Sequence, residues 1–190
     1  MFLITQVFYF LLPAYLANMA ASLAGKFRFL PKPLDGNKKI GRHFLFGPNK
    51  TCGGTLLGFI VGFLTMGLQR LLFSLDSFQN LSLIDYQQTN WFYLGLLAGF
   101  GPMAGDITAS FIKRRFNLKS GAMAPFLDQW NYISGYLLLI SVMVNLTPPI
   151  IIISFILTLI LHPLANILAY YLKIKSIWWW YTRKTIWPKS

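Results

Sequence analysis

The chain has 190 residues, 55% of them hydrophobic, a net charge of +12 and a single cysteine. A soluble domain of this length cannot hide so much apolar surface, so a lipid-exposed chain is expected, with no room for a separate soluble catalytic domain. Cys52 alone excludes an intramolecular disulfide and a cysteine-based metal cluster. The basic residues interleave with long apolar runs, which points away from nucleic acid and toward anionic lipid or a phosphorylated substrate.

A membrane span takes roughly 20 mostly apolar residues. Five segments qualify: Phe2–Ala24, Cys52–Leu75, Trp91–Ile112, Phe126–Leu146 and Ile150–Leu172. The expectation is an all-α integral membrane protein of about five transmembrane helices, forming one membrane-embedded domain over 1–190. Small residues at Ala20-Ala21-Ser22 end the first span, but no basic region precedes it, so it is expected to be retained rather than cleaved. Thr147-Pro148-Pro149 reads as a tight turn between the last two spans.

Sixteen of the 17 basic residues fall in three segments. Lys26, Arg28, Lys32, Lys38, Lys39, Arg42 and Lys50 follow span 1. Lys113, Arg114, Arg115 and Lys119 follow span 3. Lys173, Lys175, Arg183, Lys184 and Lys189 lie in the tail. With five spans all three segments share one side, which the positive-inside rule makes the cytoplasm, leaving the N-terminus out and the C-terminus in. The loop from Ser74 to Asn90 has two Asp and no Lys or Arg, as an outer loop should. A multi-pass protein of the cell membrane with its working face toward the cytoplasm is therefore expected. The tail 173–190, with Trp178-Trp179-Trp180-Tyr181 among its cations, reads as an interfacial anchor.

Gly54, Gly58 and Gly62 in span 2, and Gly95, Gly99, Gly101 and Gly105 in span 3, let helices approach closely. Packing within the chain accounts for them, and a homodimer face is a further use.

The chain contains no Glu, so acid chemistry falls to Asp35, Asp76, Asp85, Asp106 and Asp128. Asp106 lies seven residues before Lys113, about 10 Å below the basic end of its helix. A carboxylate at that depth is costly unless paired, solvated or bound to metal. Asp128 sits at the same level on the next span, where it could also serve as a favourable N-terminal helix charge. Two such carboxylates suit Mg²⁺, which bridges one or two acids to substrate phosphates. Between them the cations from Lys113 to Lys119 can act as an ordinary positive flank or contact phosphate. Lys50-Thr51, followed by Gly53-Gly54 at a helix start, can offer a cation, a hydroxyl and free backbone N–H groups to a phosphate, although it is not a Walker A loop. His43 reads as a loop residue and His162, next to Pro163, as a kink, with no role assigned to either.

The run Gly105-Asp106-Ile107-Thr108-Ala109-Ser110-Phe111-Ile112-Lys113-Arg114-Arg115, then Lys119, then Leu127-Asp128-Gln129, resembles the signature of CTP-dependent lipid-phosphate cytidylyltransferases, the CDP-diacylglycerol synthases among them. The short chain, the stretch from Leu12 to Met19, Leu34-Asp35-Gly36 and Gly47-Pro48-Asn49-Lys50-Thr51 make it most similar to the archaeal-type branch, the CDP-archaeol synthases. The resemblance implies that a phosphate oxygen of an isoprenoid-ether glycerol phosphate attacks the α-phosphorus of CTP, releasing pyrophosphate. It implies metal binding by Asp106 and Asp128, and a catalytic contribution from Lys113 and Lys119. Arg114, Lys50, Thr51, Asp35 and Asn49 would meet nucleotide or phosphate. Cys52, Ser120 and Asn131 depart from the family pattern, the last where an Asp often stands. A CDP-diacylglycerol-type synthase acting on another lipid phosphate, and a non-catalytic lipid-phosphate transporter, are the alternatives. No Asp-Gly-x-x-Ala-Arg motif of the CDP-alcohol transferases and no paired-histidine phosphatase motif is present.

Overall fold

The computed structural model describes residues 2–118, 124 and 126–171. Lys119, Ser120 and the whole tail 173–190 lie outside them.

Helix α1 (Phe2–Lys26) opens the chain. A loop with a small antiparallel hairpin follows, β1 (Lys39–Ile40) and β2 (His43–Phe44), so the regular secondary structure of the described residues is almost, though not wholly, helical. Then come α2 (Cys52–Leu72), a short α3 (Asp76–Leu81), α4 (Trp91–Arg115), α5 (Leu127–Ile140) and α6 (Pro148–Tyr171). The long helices form one bundle. α1 touches α2, α4, α5 and α6, and its Val7, Leu11, Ala14 and Ala17 are fully buried.

Two expected boundaries move. The fourth expected span ran to Leu146, but α5 stops at Ile140 and turns follow. The proline pair belongs to α6, whose first residue is Pro148. A first-turn proline loses no helix hydrogen bond, because that N–H has no intrahelical partner, and its φ is already helical.

α1, α2 and α6 are long and apolar enough to cross a membrane. α4 has the length, 25 residues, but spends it on four glycines, Pro102, Asp106 and a closing Lys113-Arg114-Arg115. α5 has 14 residues, or about 21 Å of helix. These two helices are specialised for each other. A Cβ on Gly105 would lie 2.1 Å from the Asn131 carbonyl oxygen, and one on Gly135 would lie 2.2 Å from that of Gly101. The span 2 glycines are used in the same way, with a Cβ on Gly62 meeting the Ala98 carbonyl oxygen at 2.8 Å. Both glycine rows are thus consumed by contacts inside the chain. That close approach decides which faces of α2, α4 and α5 meet, and so which side chains share the space between them.

Candidate functional site

At the basic end of the bundle a cleft of about 300 Å³ opens between α1, α2, α4, α5 and α6. Its wall includes Asn49, Lys50, Thr51, Asp106 and Asp128. Five of the residues singled out from the sequence therefore share one space, although they come from three separate stretches of chain.

The carboxylates are held in matching ways. Asp106 Oδ2 accepts from Lys50 Nζ at 2.5 Å, and Oδ1 accepts from the Asn131 side-chain amide at 2.9 Å. Asp128 Oδ1 pairs with Lys113 Nζ, while Oδ2 accepts from the Ala124 backbone N–H at 2.8 Å. Each acid thus has one cation and one neutral donor, and all four charged side chains remain partly solvated. The pairing offsets the cost of carrying charge at this depth. The position of Asp128 has a local cause as well. Phe126 precedes α5 without a side-chain cap, and Asp128, in the first turn, reaches back to the chain before the helix.

Asn131 was marked in the sequence only as a departure. In the fold its side-chain NH₂ donates to Asp106, and its side-chain oxygen Oδ1 accepts from the Tyr132 N–H at 2.6 Å. An ionised carboxylate at this position could accept but not donate, and would face Asp106 as a like charge.

Thr51 caps α2, its hydroxyl oxygen accepting from the Gly54 N–H at 3.1 Å. The expectation of free N–H groups here is overturned. Cys52 N–H donates to the Lys32 carbonyl, Gly53 N–H to that of Leu30, and Thr55 N–H to that of Thr51. The glycines serve packing instead, since a Cβ on Gly53 would fall 1.9 Å from the Phe29 carbonyl oxygen. What the end of α2 can offer a phosphate is its dipole, the Lys50 ammonium and the Thr51 hydroxyl proton.

Two other expected phosphate contacts lie away from the cleft wall. Asp35 is buried in the loop, where its carboxylate accepts from the backbone N–H groups of Asn37, Phe46 and Gly47 at 2.9–3.0 Å. Burial works against its charge, but these donors outweigh it and hold the carboxyl below its ordinary value. Asp35 shapes the loop that delivers Asn49 and Lys50. Arg114 is buried, with its guanidinium donating to the Leu118 carbonyl just past the end of α4. Its neighbour Arg115 donates to the Phe44 carbonyl at 3.0 Å and ties the hairpin to α4. Lys113 stands behind Asp128 rather than on the wall itself, and Lys119 lies outside the described residues.

Four polar residues of the wall were not foreseen: Asn18 and Ser22 of α1, and His162 and Asn166 of α6. Each pair is spaced four residues apart, one helical turn. The signal was present as polar residues at helical spacing inside two of the most apolar segments.

The two acids supply only oxygen donors, already neutralised by cations, beside a polar cleft. That is a donor set suited to Mg²⁺, which keeps water and phosphate oxygens in its shell. Among the described residues no group of three or more His, Cys, Asp or Glu forms a closed metal cage.

Comparison with known proteins places this geometry in context. Residues 1–179 match the family model "CarS-like: CDP-archaeol synthase". A CDP-archaeol synthase of Methanopyrus kandleri is 40% identical over 90% of this chain and 91% of its own length. One from Methanococcus aeolicus is 34% identical over 94% and 98%. A solved structure described as "Structural insight into an intramembrane enzyme for archaeal membrane lipids biosynthesis" superposes with a TM-score of 0.69 at 29% identity, covering 84% of this chain and 91% of that one.

Proposed function

Because the chain belongs to the CarS-like family of CDP-archaeol synthases, we propose that the cleft at the basic end is where CTP and an archaeol-type lipid phosphate react. The chain is a membrane-embedded CTP-dependent cytidylyltransferase that forms a CDP-lipid for phospholipid synthesis. The substrate class is an isoprenoid-ether glycerol phosphate of the 2,3-di-O-geranylgeranylglyceryl type. The observation that carries the site assignment is the meeting of two lysine-neutralised carboxylates with Asn49-Lys50-Thr51 around one polar space.

In the reaction an oxygen of the lipid phosphate forms a bond to the α-phosphorus of CTP. The bond from that phosphorus to the bridging oxygen breaks, and its electron pair leaves with pyrophosphate. Such a transfer needs positioning and charge neutralisation more than covalent help. Asp106 and Asp128 are the residues to hold Mg²⁺, which when bound neutralises phosphate oxygens. Lys50 and Lys113 would supply positive charge for phosphate oxygens, Lys50 from the cleft wall and Lys113 from behind Asp128, and the Thr51 hydroxyl would donate to a phosphate oxygen. Asn131 keeps the Asp106 carboxylate turned into the cleft. Excess positive charge around the cleft favours entry of the polyanionic nucleotide.

Five spans with the N-terminus outside and the C-terminus inside are supported by the three basic segments, which put the cleft on the cytoplasmic side where CTP is made. Accessibility labelling of single cysteines placed at Ser77 and at Lys38 tests this. Label from outside reaching position 38 in sealed vesicles sinks the orientation. The catalytic reading is tested by pyrophosphate release from CTP in the presence of the diether lipid phosphate and Mg²⁺. Release that survives Asp106→Asn and Asp128→Asn removes the carboxylates from the mechanism.

A further inference from the structure

Helix α6 is the most apolar of the three membrane-crossing candidates, yet it carries a strict polar row: Ser154, Thr158, His162 and Asn166, each four residues after the last. The lower two are fully buried and satisfied nearby. The Ser154 hydroxyl donates to the Ile150 carbonyl, the Thr158 hydroxyl to that of Ser154, and Thr158 also meets the Tyr15 hydroxyl at 3.0 Å. The upper two open onto the cleft. The Asn166 amide nitrogen lies 3.3 Å from His162 Nε2, a contact that limits the ring's rotation. The ring also lies 6.1 Å from that of Tyr132, the residue after Asn131, which in turn holds Asp106. His162 therefore shares the cleft with the acid pair.

The placement of α6 gives this pair its meaning. Among the described residues α6 packs only against α1 and α5. Its other face, with Ile160, Leu164 and Leu168, is exposed to the surroundings, which here are lipid. One helix thus presents polar groups to the cleft and apolar groups to the bilayer. A lipid phosphate whose chains stay in the bilayer must bring its charged group past such a boundary.

We propose that His162, positioned by Asn166, binds the phosphate of the acceptor lipid and distinguishes the phosphorylated lipid from its alcohol. This leaves CTP to the Lys50–Thr51 side. The inference rests on the cytidylyltransferase reading for the identity of the lipid, but a binding measurement tests it without turnover. Purified protein in nanodiscs is offered the diether glycerol phosphate and, separately, the same diether glycerol without phosphate. His162→Ala is expected to reduce the preference for the phosphate form about tenfold and to raise KM for the lipid phosphate by a similar factor, about 1.4 kcal/mol. KM for CTP should stay within about twofold on the same scale. His162→Gln, which keeps a donor at this position, should recover part of the loss. Thr158→Val, in the same row below the cleft, should leave the lipid preference intact.

The proposal is overturned if wild type binds the two lipids equally, if His162→Ala weakens both lipids alike, or if KM for CTP rises in parallel. A wild type that prefers the phosphate through His162 but makes no CDP-lipid refutes the catalytic reading while upholding this contact.

Discussion

The two ends of the bundle treat buried polarity in opposite ways. At the end away from the basic loops, polar side chains close on one another. The Gln69 amide donates to the Tyr9 carbonyl at 2.6 Å, the Tyr86 hydroxyl donates to Gln69 Oε1 at 3.2 Å, and the Tyr136 hydroxyl donates to the Phe10 carbonyl at 2.7 Å. These bonds use neutral groups buried within the bundle. At the basic end the polar groups are charged, each carboxylate has an exchangeable lysine partner, and the pairs face a cleft. A closed neutral network adds rigidity at low cost, whereas solvated ion pairs contribute little to stability but can trade partners when a ligand arrives. One end is built to hold and the other to exchange.

The comparison breaks most clearly at the acids. Asp106→Asn or Asp128→Asn should lower the rate of pyrophosphate release on the order of a thousandfold, as loss of an electrostatic stabiliser does. Thermal unfolding should move little by contrast, because each pair is partly solvated. A mutant that unfolds before it loses activity would place these acids with the holding end. Next in size is Asn131→Ala, which frees one oxygen of Asp106. An outer partner of a metal ligand is worth about 10–100-fold in metal affinity or activity, read here as a rise in the Mg²⁺ concentration needed for half-maximal rate.

Stability changes sharpen the other side. Gly105→Ala drives a methyl into the Asn131 carbonyl and should destabilise by about 1–3 kcal/mol, whereas Gly25→Ala, with nothing within 4 Å, should be neutral in the same melting experiment. Gln69→Leu orphans the Tyr9 carbonyl and takes the acceptor from Tyr86. A cost of about 1–3 kcal/mol in unfolding is expected, with kcat of the folded fraction unchanged.

The smallest effect concerns the loop. Asp35 has a depressed folded value, so its stabilisation is present above the ordinary carboxylate range and is lost as pH falls through that lower value. Asp35→Asn should raise KM for CTP only a few-fold at neutral pH, about 0.5–1 kcal/mol for each altered hydrogen bond. It should also remove this step from the acid limb of loop unfolding, followed by protection of the 33–47 segment from hydrogen exchange.

How much of this was legible in the sequence depends on the range of the cause. The apolar segments, the three basic clusters and the depth of Asp106 are properties of single stretches of chain, governed by the cost of charge and of unpaired backbone in lipid. They mark out the helices and identify Asp106, Asp128 and Lys50 as residues to watch. The Asp106–Asp128 run also carries the family resemblance that the comparisons support. Where a local pattern has two uses, the sequence leaves the choice open. Asp35 and Arg114 bear the charges suited to a phosphate site, but backbone groups from distant loop positions claim the first and the Leu118 carbonyl claims the second. The glycines after Thr51 permit a phosphate cradle as readily as a close packing contact, and only the nearby Phe29 carbonyl selects the second.

Composition and local spacing by themselves determined that this is a membrane-embedded helical chain with a basic face and very few acids to work with. The tertiary structure alone decided that Asn131 donates to Asp106, and that His162 and Asn166 line the same cleft as the acids. Between α4 and α5 the register is set by how closely Gly101, Gly105 and Gly135 let the backbones approach, and no local periodicity records that distance.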